Sequence, residues 1–270
     1  LSNGSLSLGP PGARYTFSAR GDRATVGLPG SGLFYTVKDP FKRSARSDPE
    51  PTAADPEEAL LRERLNPGWF RRWRMPDTLR SLLDALRAVA AGRSDEALAA
   101  LQAAGDHPDR HWLEANLNMA QRAFDAAIQG FERVLERPAG LGSRYSELQL
   151  QPSLDFSVAD GIMAHAGVGL DGVRLALAEL YQGQGRHEEA GVLLRALHGD
   201  VPEDVVVLAA LVELLLDRDP IPLDVADEVV RMTTPLDNES SIHAHLLREK
   251  GRALMALGMP VALAFLAANI

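Results

Sequence analysis

The chain has 270 residues, a formal net charge of −9, no cysteine and 46% hydrophobic residues. That apolar content is enough for a packed core, so a wholly disordered chain is excluded. Without cysteine there is no disulfide, thiolate metal site, iron–sulfur cluster or cysteine nucleophile. Charge is unevenly spread: residues 1–76 hold 12 Lys+Arg against 8 Asp+Glu, a net of +4, and residues 77–270 hold 16 against 29, a net of −13. Two parts with different surfaces are expected. The longest apolar run, Val205 to Leu216, contains Glu213 and is too short to span a bilayer. No charged n-region followed by an apolar h-region opens the chain, so no signal peptide is read and the expected location is cytoplasmic.

Residues 1–37 read as short strands and turns. Leu6–Leu8, Ala13–Ser18, Arg23–Gly27 and Leu33–Val37 form a simple meander, punctuated by Gly9-Pro10-Pro11-Gly12, Arg20-Gly21-Asp22 and Leu28-Pro29-Gly30-Ser31-Gly32. A sheet this small needs another surface or a further strand. Gly12-Ala13-Arg14-Tyr15-Thr16 and the segment from Arg23 to Thr36, with its Gly-Leu-Pro-Gly-Ser-Gly motif, resemble a small bacterial domain of unknown function, the 4236 family. The basic, aromatic-rich arm that opens that family is absent here. The resemblance covers about the first 37 residues and implies no activity.

Residues 38–58 read as a flexible Pro-rich linker, with Pro40, Pro49, Pro51 and Pro56 among charges and no periodicity. Glu57–Leu65 predicts a short helix that Asn66-Pro67-Gly68 ends. Trp69-Phe70-Arg71-Arg72-Trp73-Arg74 follows. Its aromatics either cover the open edge of the first helical unit, with the arginines wet, or stack on nucleic-acid bases. Packing is the favoured alternative, because the acidic body opposes phosphate binding.

From Asp77 onward the pattern is helical and repeating. Ala85 and Ala97, Ala115 and Ala127, and Ala178 and Ala190 are each 12 residues apart, with Pro108, Pro138 and Pro202 closing the units. This is the tetratricopeptide (TPR) pattern, in which small residues let two helices of a hairpin cross closely. A Gly such as Gly185 makes the turn. A weaker unit pairs Val205–Asp217 with Val225–Met232, and a last one starts at His243. No polar capping helix is visible at the end, so a longer chain or a covering partner is expected. Residues 139–171 carry no helical period. Leu148–Leu150, Ser153–Val158 and Ile162–Val168 read as strands, with a hairpin turn at Ala159-Asp160-Gly161 that pairs with a sheet edge such as the N-terminal meander.

Signals for chemistry are weak. There is no phosphate-binding glycine loop and no Gly-x-Ser-x-Gly elbow. His107 and His111 straddle a helix start at which Asp109 reads as the N-cap. His243 and His245 point to different sides of a helix. His187-Glu188-Glu189-Ala190 lacks the second histidine of a zinc-protease motif, and His165 and His198 lack ligand neighbours, so no metal or cofactor is expected. The expected fold is mainly α: a TPR-like helix–turn–helix solenoid over 59–270, with a β-hairpin insert at about 147–169 and a small β-rich segment at 1–37. The expected function is non-catalytic protein–protein interaction. In TPR proteins the inner face of the first helices takes extended peptides, which singles out Trp112, Asn116, Met119, Glu179, Gln182, Glu213, His245, Arg248 and Arg252. Asn116 would hold a peptide amide, and Arg248 with Arg252 a carboxylate. Two other roles stay open: attachment to nucleic acid or an envelope surface through the basic N-terminal part, and a regulatory subunit that self-associates through uncapped ends.

Overall fold

The structure, a computed structural model, describes the strands at 5–8, 15–16, 24–27 and 33–37 and residues 62–159, 162–237 and 239–260. Side chains are described for 62–154, 165–237 and 239–260. The expected linker at 38–58 and the N-terminal turns lie outside the described residues.

Stretches with apolar residues every three to four positions form helices in antiparallel pairs. After the short α1 (Trp69–Arg74), α2 (Asp77–Ala90) pairs with α3 (Ser94–Leu101), and α4 (Pro108–Ala120) with α5 (Phe124–Glu136). A short α6 (Ser143–Glu147) opens the insert. Then α7 (Leu170–Gly183) pairs with α8 (His187–Asp200), and α9 (Val205–Leu216) is followed by α10 (Leu223–Thr233) and α11 (Ser241–Ala256). Among the described residues, no helix is long and apolar enough to cross a membrane.

One backbone device ends the first helix of each clear unit. Gly92, Gly185 and Gly258 adopt φ of +71°, +75° and +87°. The following amides, of Arg93, Arg186 and Met259, donate back to the carbonyls of Ala88, Tyr181 and Leu254 at 2.8, 2.8 and 3.1 Å. This is the Schellman closure, which a glycine makes without steric cost. In the second unit Arg122 stands at this position with φ of +62°, and Ala123 donates to Asn118 at 2.8 Å. Ala85, Ala115, Ala178 and Gly251 each stand seven residues before the left-handed position, so the same register recurs in α2, α4, α7 and α11, while α9 ends at Asp217 with φ of −77°.

The small residues do the packing expected of them. Ala85, Ala97, Ala115, Ala127, Ala178 and Ala190 are all buried. At the α4–α5 crossing a Cβ on Gly130 would lie 2.8 Å from the Cβ of Ala115, so the two helices meet with no room for a larger group.

The insert does not interrupt the stack. α3 packs on α4, α5 on α7 and α8 on α9, so each unit's second helix meets the next unit's first. The side amide of Gln121 donates to Asp95 on α3 at 2.9 Å. Gln184, at the equivalent place, donates to Asp125 on α5 at 2.8 Å. The same tie is therefore made across the insert as without it. Tyr181 adds a hydrogen bond to Glu132 at 2.7 Å, and burial first, then this bond, pushes its phenol pKa up to about 12.

The strands form one antiparallel sheet. Its members are β1 (Ser5–Leu8), β2 (Tyr15–Thr16), β3 (Ala24–Gly27), β4 (Leu33–Val37), β5 (Ser153–Ala159) and β6 (Ile162–Gly167), in the order β2-β1-β5-β6-β4-β3. The N-terminal strands are thus not a continuous meander. They form two hairpins, and the insert hairpin fills the gap between them, with Leu6 opposite Leu154 and Phe34 opposite His165. Two small hairpins are marginal alone, and two shared central strands give each a paired edge. Residues 148–149 are a turn rather than the start of a strand, and residues 143–147 of the insert are helical.

The sheet lies on the helices. β1 packs on α4, β6 on α7, and β4 and β5 on α9. These are the first helices of the second, third and fourth units. The contact with α7 is close: a Cβ on Gly172 would lie 2.8 Å from the carbonyl oxygen of Gly167. α9 is apolar around its whole circumference because helices cover one side and the sheet another. Among its residues only Ala210 and Glu213 escape full burial.

Gly130→Ala is expected to destabilise the chain by about 1–3 kcal/mol through overpacking, less about 1 kcal/mol regained in helix propensity. Adding Ala115→Gly should recover part of the loss, seen as positive coupling in a urea-denaturation cycle; purely additive effects would count against the close crossing. Arg122→Gly is expected to raise stability by up to about 1 kcal/mol in the same assay, by relieving the left-handed residue.

Candidate functional site

The first helices carry the residues that the sequence pattern singled out as an expected peptide site. On α4, Trp112 and Asn116 are buried. The Trp112 ring meets Tyr145 of α6 edge-on, with centroids 5.8 Å apart. The Asn116 amide nitrogen donates to the Trp112 carbonyl oxygen at 2.6 Å, while its Oδ1 is buried without a hydrogen-bond partner. Met119 is partly buried against the core. Trp112 therefore lines the seat of the insert, and Asn116 is buried rather than open to a groove. The physical reason is that the insert docks on α4 and the sheet lies over it.

Asp109 fixes that seat. It is fully buried, and its carboxylate accepts from the backbone N–H groups of Gly142 and, at 2.8 Å, Arg144. Tyr145 donates its hydroxyl to the Asp109 carbonyl at 2.8 Å. Asp109 is not the N-cap of α4. Pro108 takes the first helical position, where its missing N–H costs nothing. The cap moves to His107, whose Nδ1 accepts from the Asp109 N–H at 3.2 Å. Burial raises the Asp109 pKa against the opposing effect of its backbone hydrogen bonds. Burial, with Arg144 nearby, lowers that of His107.

On α7, Glu179 and Gln182 are half-buried. The remaining four residues of the sequence set come together at α9–α11. His245 Nε2 lies 2.9 Å from Glu213 Oε1, and Arg248 Nη2 lies 2.9 Å from His245 Nδ1. Arg248 and Arg252 both donate to Glu249, which is buried, and Arg252 also reaches the Leu216 carbonyl oxygen. Sequence reasoning passed over Glu249, although it stands four residues after His245 on the same helix face. Glu213, His245 and Glu249 offer three ligand atoms within 4.8 Å of one another, the best-placed group among the described residues for a cation. The two arginines already match the two carboxylates, so the cluster is charge-balanced as an ion-pair network.

A second feature is a cleft of about 610 Å³ lined by Asp106, His107, Arg110, His111, Arg133 and Arg137, among others. Asp106 accepts from His111 at 2.6 Å and pairs with Arg137 at 3.1 Å. The His111 contact comes first in holding its carboxyl below the usual range. The signal for this cleft was the His107/His111 pair, but its basic wall comes from α5.

The third feature is α1. Trp69, Phe70 and Trp73 are 80%, 49% and 71% exposed. The expected burial of these rings against the first unit does not occur. Arg72 faces α2 instead, with one nitrogen 2.9 and 3.0 Å from the two Asp84 oxygens.

Comparison with known proteins bears on the two parts of the chain separately. The model of a family described as a protein of unknown function (DUF4236) matches residues 2–36. No curated protein matches the chain. A solved structure described as a Podosopora anserina putative kinesin light chain with nearly identical TPR-like repeats is similar over 73% of this chain and 95% of that one. The identity is 17% and the TM-score 0.42.

Asp109→Asn is expected to cost about 1–3 kcal/mol at neutral pH, because one carbonyl oxygen replaces two acceptors of buried N–H groups. The folded chain holds the Asp109 proton more tightly than the unfolded chain. This group therefore adds stability as pH falls through the carboxylate range and withdraws it as pH rises. The stability gap between native chain and variant should widen on acidification, measured by urea denaturation at a series of pH values. A gap that narrows would contradict the raised pKa.

Proposed function

We propose that this chain is a non-catalytic, cytoplasmic protein-interaction module: a TPR-like adaptor without a cofactor of its own, whose partner is a protein segment. Support comes from its own architecture. The first three helical hairpins share one register and one stacking tie, and the later helices stack on them in turn, which supports an extended surface. The single observation that carries the proposal is the α9–α11 cluster. Glu213, His245, Arg248 and Arg252 stand together on neighbouring first helices, and both arginines present exposed guanidinium groups.

The sheet changes where such a partner would sit. It covers parts of α4, α7 and α9, so a peptide laid along the whole row of first helices would collide with the chain's own strands. The α9–α11 end is the place for recognition in this proposal. Arg248 and Arg252 are held by Glu249 in a fixed orientation, which lowers the entropy lost when a carboxylate pairs with them.

The test is affinity capture with the full chain, followed by titration of the recovered protein. A specific protein partner is expected. Arg248→Ala with Arg252→Ala should weaken it by about tenfold or more, as loss of charge-assisted hydrogen bonds does. Adding Glu249→Gln to the double variant removes the buried carboxylate those arginines balance, and this triple variant should keep the far-UV spectrum while showing the same loss of affinity. Equal affinity of the native chain and the double variant would remove α9–α11 as the site.

A further inference from the structure

We propose that α1 is a peripheral membrane contact, a wedge of three aromatic rings and two arginines that enters the headgroup layer of an anionic lipid surface. This goes beyond the protein-interaction proposal and uses a different part of the chain.

α1 is an inverted helix. A helix lying on a folded body turns its apolar residues inward and its charges outward. α1 does the opposite. None of its residues is buried, and the side chain facing the body is Arg72, clamped by Asp84. Asp84 is held in turn by Arg87 at 2.9 Å, and Arg87 also donates to the Leu65 carbonyl oxygen. Buried Leu65 and Met75 fix the chain on either side of α1. The orientation is therefore set by an ion-pair chain and two apolar anchors, and the outward face is Trp69, Phe70, Trp73, Arg71 and Arg74. Arg71 and Arg74 make no ion pair among the described residues.

The geometry favours lipid over nucleic acid. Single-strand binding combines ring faces for successive bases with a positively charged groove that tracks the backbone. Here Trp69 meets Phe70 edge-on at 79° with centroids 5.7 Å apart, and Arg74 covers one face of Phe70 at 4.4 Å. Trp73 stands 6.5 Å from Phe70 with the two planes 32° apart. The three rings form one exposed cluster on a single six-residue helix, too short to track the backbone of a strand. A six-residue helix is also too small to supply the roughly 800 Å² that each side of a stable protein interface needs. A headgroup layer needs only a few inserted rings. Indole rings favour that depth, and arginines beside them pair with lipid phosphates. The charge asymmetry fits: α1 lies in the +4 part of the chain, and the −13 remainder keeps the helical body off the surface.

The chain has three tryptophans, and Trp112 is buried and contributes a constant background, so a lipid-induced change in emission reports on Trp69 and Trp73. The experiment mixes the full chain with vesicles of phosphatidylcholine containing phosphatidylglycerol, or of phosphatidylcholine alone, and follows emission and co-sedimentation. A blue shift and co-sedimentation are expected with the anionic vesicles, weakening as salt rises. Trp69→Ala with Trp73→Ala should weaken co-sedimentation by at least about tenfold. Because α1 buries no side chain, that variant should keep its far-UV spectrum and unfolding midpoint. Arg71→Ala with Arg74→Ala should abolish the preference for the anionic vesicles. Four results would overturn the proposal: no response to either vesicle, emission already blue in buffer and unmoved by lipid, a shift with oligothymidylate but not with vesicles, or a shift that follows protein concentration without lipid.

Discussion

The stacking of α7 on α5 is the contact on which the rest of the structure depends. It joins the third helical unit to the second as if the intervening residues were not there, through Tyr181–Glu132 and Gln184–Asp125. Once that contact forms, the chain between α5 and α7 must leave and re-enter the stack at nearly the same place. A hairpin meets that requirement, because its two ends lie side by side. The insert is thus an excursion from a continuous stack.

Its exit is fixed by polar groups and its return by close packing. Asp109 takes up two backbone N–H groups at the start of α6, and Trp112 and Tyr145 seal the contact. On the return side, the absence of a Cβ at Gly172 lets α7 approach β6 to the limit of backbone contact. Between these points the hairpin supplies the two central strands of a sheet whose outer strands come from the N-terminus. The first 37 residues and the helical repeats therefore share one structural element, although their sequences read as separate parts. The sheet then covers the apolar flank of α9, a helix too hydrophobic to be half-exposed.

Much of the helical architecture was legible because the repeat rests on local rules. A small residue, a left-handed position seven further on and a second small residue after twelve recur at Ala85, Ala115 and Ala178, and each has a steric cause within one hairpin. The two strands of the insert were legible for the same reason. The candidate site was less so. Glu213, His245, Arg248 and Arg252 converge, since helical phase places them on adjoining faces. Trp112 and Asn116 do not join them, because what covers α4 comes from distant sequence. The aromatic residues of α1 were expected inside, and their exposure depends on Arg72 finding Asp84.

The sequence by itself determined the helical units, their register, the turns that end them and the split of charge at about residue 76. These follow from backbone sterics, helical periodicity and composition, which act over a few residues at a time. Tertiary structure alone decided that the stack passes the insert unbroken, that the sheet combines strands more than a hundred residues apart, and which faces remain open. Those outcomes turn on which surface buries which, and that depends on long-range pairing between strands and helices that no local pattern encodes.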